Sequence, residues 1–315
     1  MAVGADNKCF FPGDRDPHKP SEAELQNLNL KLGSNPTKFL VQQLNPDSMR
    51  WETKAEIAAV IFLWNSADRI VIADVEGTVV KADLWSKSTD VMLMATNKHH
   101  EAAPGLETVR DGVGPLLSYF GRNGYRVLFL TASPITRADR VRDTVNWIRA
   151  SEVQQWGPGA EVPASPVITT QDRMGTVLLR RLSDKISRFS GQAKQSDVKA
   201  SALEELIALF DLPNVPVGDE DGPKVAQSPF VGGLCESEFD ARVYEAAGIP
   251  KERILIVDKI GRVSSFCEKR SQWTWASYVE MYPALPQLFP KLVKQGAGKH
   301  PSQESGAAAA SGAGK

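Results

Sequence analysis

Two carboxylates, Asp74 and Glu76, stand two residues apart at the end of the run Arg69-Ile-Val-Ile-Ala-Asp74 and run straight into Gly77 and Thr78. An aspartate so placed can attack phosphorus and form an aspartyl-phosphate. The second acid can protonate the leaving oxygen and then activate water. Gly77 permits a tight backbone path, and with Thr78 it is counted among the phosphate-binding candidates. Thr131-Ala132-Ser133 follows a second apolar run. A Thr131 hydroxyl there can hold a phosphoryl oxygen while backbone N–H groups such as that of Ala132 assist. Lys199 precedes a periodic apolar stretch, a poor place for a cation near a helix start, and it can neutralise a phosphate and the attacking carboxylate. Glu236 and Asp240, four apart at the start of a helical stretch, lie on one face. With Asp74 and Glu76 they are the candidate ligands of Mg2+, which prefers oxygen donors and keeps several waters. Taken singly, each of these residues is also an ordinary helix cap, solvated turn or surface lysine.

The elements that must position them are legible as hydrophobic patterns. Three continuous apolar runs, 69–74, 125–131 and 253–257, suit parallel strands buried on both faces. Helices are expected over 114–120, 137–148 and 200–210, the last with Leu203, Leu206, Ile207 and Phe210 at three-to-four spacing. Gly232-Gly233 reads as a turn ahead of the second acidic pair. The alternation over 66–292 predicts a doubly wound, mostly parallel α/β sheet, in which ligands bind beyond the carboxyl ends of the strands. Residues 21–65 carry short runs at 38–42 and 58–63 and predict a small β element. Residues 1–20 read as a disordered lead and 293–315 as a flexible Gly/Ala/Ser tail.

Composition sets outer limits. The chain has 315 residues, 42% hydrophobic and 24% charged, with a formal net charge of −1. That balance gives no general pull toward nucleic acid, and any anion site must be local. Three scattered cysteines, Cys9, Cys235 and Cys267, suit neither a disulfide framework nor a structural zinc site, so the chain reads as intracellular and cytoplasmic. There is no run of about 20 apolar residues to span a bilayer. Trp273 and Trp275 are read as buried, the basic residues from Arg180 to Lys194 as a solvated helix face, and His99-His100 as no metal pair. Asp258 is left out of the site.

The order of these signals (strand-Asp-x-acid-Gly-Thr, strand-Thr, Lys, then acid and Asp) resembles that of the haloacid-dehalogenase-like phosphohydrolases. A closer resemblance is to the lipin-type phosphatidate phosphatases and their LNS2 domain. It is carried by Leu63-Trp64-Asn65 with residues 69–83, by 123–132 and 137–147, by Asp197-Val-Lys199 through Phe210, and by 240–249 and 253–261. It covers roughly residues 20–292. The resemblance implies a Mg2+-dependent hydrolase that converts phosphatidate to diacylglycerol and phosphate at a membrane surface, with transient association to the endoplasmic reticulum or other membranes. It makes Asp74 the nucleophile, Glu76 the acid/base, Thr131 and Lys199 phosphate-binding, and Asp240 with Asp74 metal-binding. It also implies that residues 21–65 are part of an Ig-like domain. Three departures stand out. Glu76 replaces the family's second Asp, and one extra methylene matters where a misplacement of ~1 Å can cost on the order of 10²-fold. Thr131-Ala132-Ser133 replaces Ser-Ala-Arg, leaving Arg137 as a possible substitute cation. Cys235-Glu236 replaces Gly-Asn. Two other readings stay open: a non-catalytic phosphatidate-sensing module and a phosphatase for a soluble ester.

Overall fold

The computed structural model describes residues 2–3, 9–10, 21–81, 109–135, 138–156, 162–170, 190–210, 212, 214–216, 224–226, 228–267 and 273–292. Within the lead, β1 (Ala2–Val3) and β2 (Cys9–Phe10) form a short antiparallel pair. Helix α1 (Glu22–Asn27) begins at a capping box, in which the Ser21 side chain meets the Glu24 N–H and Glu24 returns to the Ser21 N–H. The expected small β element is a hairpin of β3 (Gly33–Asn45) and β4 (Arg50–Leu63), longer than the apolar runs alone imply. Leu40, Trp51, Ile57 and Val60 on it are exposed.

The main sheet contains β5 (Ile70–Asp74), β6 (Arg126–Pro134), β7 (Val167–Thr170), β10 (Phe230–Cys235), β11 (Ile254–Val257), β12 (Val263–Ser265) and β13 (Thr274–Trp275). Its order is β13-β12-β11-β10-β5-β6-β7. The five strands from β11 to β7 are parallel, and β12 and β13 are antiparallel additions at one edge. A separate ribbon pairs β8 (Asn214–Pro216) with β9 (Lys224–Ala226). The helices are α2 (Val113–Arg122), α3 (Ala138–Trp156), α4 (Ser190–Ala208), α5 (Glu238–Ala246) and the short α6 (Tyr278–Met281) and α7 (Leu285–Leu288).

The central strands are buried on both faces because β5 up to Asp74, β10, β11 and residues 127–130 of β6 are built of apolar residues and glycine. In β5, Val71 and Ala73 join one core, with Leu116, Phe120 and Phe289, while Ile70 and Ile72 join the other, with Leu203, Tyr244 and Ile254. Val127 and Phe129 of β6 divide from Leu128 and Leu130 in the same way. The expected doubly wound architecture is therefore what the sheet shows. The chain runs outward from β5 through β6 to β7, then crosses to the other flank of β5 for β10 and β11. The order thus reverses between β5 and β10, which is where such sheets open a crevice.

Three local expectations are corrected. Gly232-Gly233 is not a turn but the middle of β10, the strand between β5 and β11. A side chain at Gly232 would enter the Phe289 ring, and one at Gly233 would enter the Tyr244 ring, so each glycine admits an aromatic on its own face. Lys199 does not precede its helix but lies in the middle of α4, because the helix starts at Ser190. Glu236 is not on the helix it was read with: Ser237 is the N-cap of α5, and only Asp240 is within the first turn. Trp273 and Trp275 are partly buried against the core. Arg137, His99, His100 and the side chains of the basic run from Arg180 to Lys194 fall outside the described residues.

Candidate active site

Asp74 is the last residue of β5, at the carboxyl end of the strand beside the switch point, and only 3% of it is exposed. Beyond it the chain turns tightly. Thr78 returns its hydroxyl to the Asp74 carbonyl, the Gly77 N–H reaches the Val80 carbonyl, and Gly77 has φ +81°. That left-handed conformation suits glycine. A second reason for glycine is crowding: the Glu236 carboxylate lies against the space a Cβ would fill. Arg110, itself buried, pins this turn from outside. Its Nε donates to the Gly77 carbonyl (3.1 Å) and its other nitrogens to the carbonyls of Lys259 (3.1 Å) and Asp258 (3.0 Å).

Helix α4 packs Leu203, Leu206 and Ile207 toward the second core. Lys199, one turn before Leu203, shares that face and so points at the sheet rather than at solvent. Its Nζ donates to Asp74 Oδ2 (2.8 Å) and lies 2.9 Å from Asp240 Oδ1. Asp240 is held from its own side, since the Ser237 hydroxyl accepts from the Asp240 N–H (3.2 Å) and donates to Asp240 Oδ2 (2.9 Å). The other oxygen of Asp74, Oδ1, accepts from the Tyr244 hydroxyl at 2.5 Å. Asp74, Lys199 and Asp240, from three separate elements, therefore meet at one point.

The electrostatics follow from burial. Burial raises the Asp74 carboxyl from 3.8 to about 7, with Asp240 adding to the rise and Lys199 opposing it. For Lys199 burial works against the charge, but the two carboxylates outweigh it and hold the ammonium charged well above its ordinary range. Burial chiefly, with Asp74 next, pushes the Tyr244 phenol well up, so it remains a donor. Glu236 is raised by burial first and by Asp240 second. Two carboxylates thus share one cation with a third acid nearby, a local excess of negative charge made wholly of oxygen donors.

Glu76 takes another direction. Its Oε1 accepts from the hydroxyls of Thr131 (2.5 Å) and Ser133 (2.9 Å), and its Oε2 from the Ala132 N–H (3.4 Å). Thr131, Ala132 and Ser133 lie in the last part of β6, not after it, where the pairing with β7 shifts register between Leu130 and Pro134. The candidate residues therefore form two neighbouring groups: Asp74, Lys199 and Asp240 with Glu236 alongside Gly77, and Glu76 with the Thr131–Ser133 segment. Asp258 bonds to Ile260 and Arg262 in its own exposed loop.

Tyr244 and Arg110 were not singled out in the sequence. Tyr244 had a signal, because it stands four residues after Asp240 on the same helix face. Arg110 had none, since its partners are carbonyls distant in sequence.

Fold and site together define a doubly wound α/β protein with an acid–lysine centre at its switch point. The chain belongs to the LNS2 (Lipin/Ned1/Smp2) family, whose model matches residues 17–290. It is 28% identical over 270 residues to phosphatidic acid phosphohydrolase 1 of Saccharomyces cerevisiae, covering 85% of this chain and 27% of the yeast protein. It is also 28% identical over 269 residues to nuclear elongation and deformation protein 1 of Schizosaccharomyces pombe, covering 85% of this chain and 34% of that one. Against phosphatidate phosphatase PAH1 of Arabidopsis thaliana the identity is 25% over 278 residues, 88% of this chain and 25% of the plant protein. The chain thus spans about a quarter to a third of the length of these relatives.

Proposed function

We propose that this chain hydrolyses phosphatidate to diacylglycerol and phosphate through an aspartyl-phosphate on Asp74. The observation that carries the reading is the meeting of Asp74, Lys199 and Asp240 at hydrogen-bond distance, at the carboxyl end of β5 beside the point where the strand order reverses. The names of the relatives supply the substrate class.

In this reading Asp74 Oδ attacks phosphorus, the bond from phosphorus to the glycerol oxygen breaks, and Glu76 gives that oxygen a proton. Glu76 then takes a proton from a water that attacks the aspartyl-phosphate, which releases phosphate and restores Asp74. Lys199 lies beside both the nucleophile and the incoming phosphoryl group and offsets their mutual repulsion. Thr131 and the Ala132 N–H bind phosphoryl oxygens, while Gly77 and Thr78 keep the loop that carries the acid/base in place.

Residues for Mg2+ are present and suit it. Asp74 and Asp240 would hold the ion with the backbone carbonyl of Glu76, with Glu236 adding charge alongside. Among the described residues no three acid, histidine or cysteine side chains form a ready cage. A small set of carboxylates that leaves room for water and substrate oxygens is how this ion is usually bound. When bound it would supply charge neutralisation for the transferring phosphoryl group. The side chain of Glu76 is engaged with Thr131 and Ser133 and is assigned to proton transfer rather than to the ion.

No helix among the described residues is long and apolar enough to cross a membrane, so the lipid would be met from the water side, at the endoplasmic reticulum or another membrane. The test is phosphate release from phosphatidate in detergent micelles, with Mg2+ and with chelator, beside a soluble phosphate monoester. The expected result is Mg2+-dependent release from phosphatidate, reduced on the order of 10³-fold by Asp74→Asn. Micelle binding without release would instead identify a phosphatidate-sensing module, and a preference for the soluble ester would identify a different substrate.

A further inference from the structure

We infer that Glu76 is the resting occupant of the cradle that takes the substrate's phosphoryl oxygens, so that substrate enters by displacing an internal carboxylate. This deepens the proposed reading and rests on it. Three donors converge on the Glu76 side chain: the Thr131 hydroxyl at 2.5 Å, the Ser133 hydroxyl at 2.9 Å and the Ala132 N–H at 3.4 Å. A carboxylate and a phosphoryl group present the same feature to such donors, a pair of anionic oxygens that accept.

Occupancy is exclusive for a chemical reason. A hydroxyl has one proton to donate. The Thr131 oxygen already accepts from the Ser133 N–H at 3.0 Å, and its own proton goes to Glu76. The Ser133 proton goes to the same carboxylate oxygen. A phosphoryl oxygen can receive neither proton until Glu76 leaves. The carboxylate has somewhere to go, since Glu76 is only half-buried while its neighbours Val75, Gly77 and Thr78 are buried. Displacement also imposes an order: only when phosphate is seated is the Glu76 carboxylate free of the cradle to take a proton from water and pass it to the leaving oxygen. Glu76 thus sets substrate affinity as well as moving protons.

The experiment is calorimetric titration of the full chain with inorganic phosphate in the presence of Mg2+, for the wild type, Glu76→Ala, Glu76→Gln, and Glu76→Ala with Thr131→Val. Glu76→Ala should bind phosphate about tenfold tighter or more, a change of about 1.4 kcal/mol. Glu76→Gln, which keeps an acceptor oxygen without the charge, should fall between it and the wild type. Thr131→Val in the Glu76→Ala background should remove the gain, which places the site in the cradle. If Glu76→Ala does not fold, Glu76→Gln decides by the same sign. Wild-type affinity in the Glu76 variants, or a gain that survives Thr131→Val, would overturn the inference, while Mg2+-dependent phosphatidate hydrolysis by the wild type would still stand as the proposed function. Absence of phosphate binding in every variant, together with absence of phosphatidate turnover, would remove the proposed function and this inference with it.

Discussion

Asp74 has a partner on each oxygen, Lys199 on Oδ2 and Tyr244 on Oδ1, and both bear on how it would react. Tyr244 fixes the plane of the carboxylate. Tyr244→Phe should therefore lower kcat about tenfold with little change in KM, a split that steady-state kinetics on phosphatidate would read. The raised Asp74 carboxyl also has a stability consequence. A carboxyl whose folded value, about 7, exceeds its ordinary 3.8 holds an extra proton in the folded state between those values. The folded state then binds more protons than the unfolded one, so stability falls as pH rises through that window. Metal-free protein should melt lower at pH 8 than at pH 5. Asp74→Asn should flatten the difference and raise the melting temperature at pH 8 by roughly a few degrees. An unchanged slope in that variant, followed by thermal melts in chelator, would remove Asp74 as its source.

At the scale of elements, β10 and α4 show where the sequence was readable and where it was not. The strands β5, β6 and β11 were plain because unbroken apolar runs are what two-sided burial requires. The central strand β10 was hidden by Gly232-Gly233, which locally is punctuation. Its glycines are explained only by rings that lie over the strand, Phe289 from a distant segment and Tyr244 from the helix that follows β10. The apolar pattern starts helix α4 at 200, ten residues late, because residues 190–199 have no apolar period, and this puts Lys199 at a helix start instead of mid-helix. That Asp74, Lys199 and Asp240 belong together was legible, since acids and a lysine at these places in the chain keep their order whatever the element bounds. What could not be read was which partner each would choose, as with Glu76 and the two hydroxyls. The glycines give a paired prediction. Gly232→Ala and Gly233→Ala should each destabilise the protein by about 1–3 kcal/mol through overpacking. Only Gly233→Ala should also reduce turnover per folded molecule, because the ring it displaces carries the hydroxyl on Asp74. Urea unfolding beside activity corrected for folded fraction would show whether the two variants separate.

For the molecule as a whole, charge and chemistry are uncoupled. With 37 basic and 38 acidic residues the chain has almost no net charge, so attraction to an anionic surface must come from the site or from a local patch rather than from the overall field. Vesicles of phosphatidylserine without phosphatidate should retain the chain no more than about twofold better than neutral vesicles. Strong retention in co-sedimentation would reveal a local basic surface. The strand-order reversal between β5 and β10, the carboxylates at the end of β5 and the resemblance to phosphatidate phosphatases all bear on a single claim, that Asp74 forms a bond to phosphorus. Acid-quenched turnover of phosphatidate with Mg2+, followed by peptide mass mapping, tests it directly. The account predicts a phosphoryl group on the peptide that carries Asp74, absent in Asp74→Asn. Sustained phosphate release with that peptide unmodified, or equal release by the variant, would contradict it.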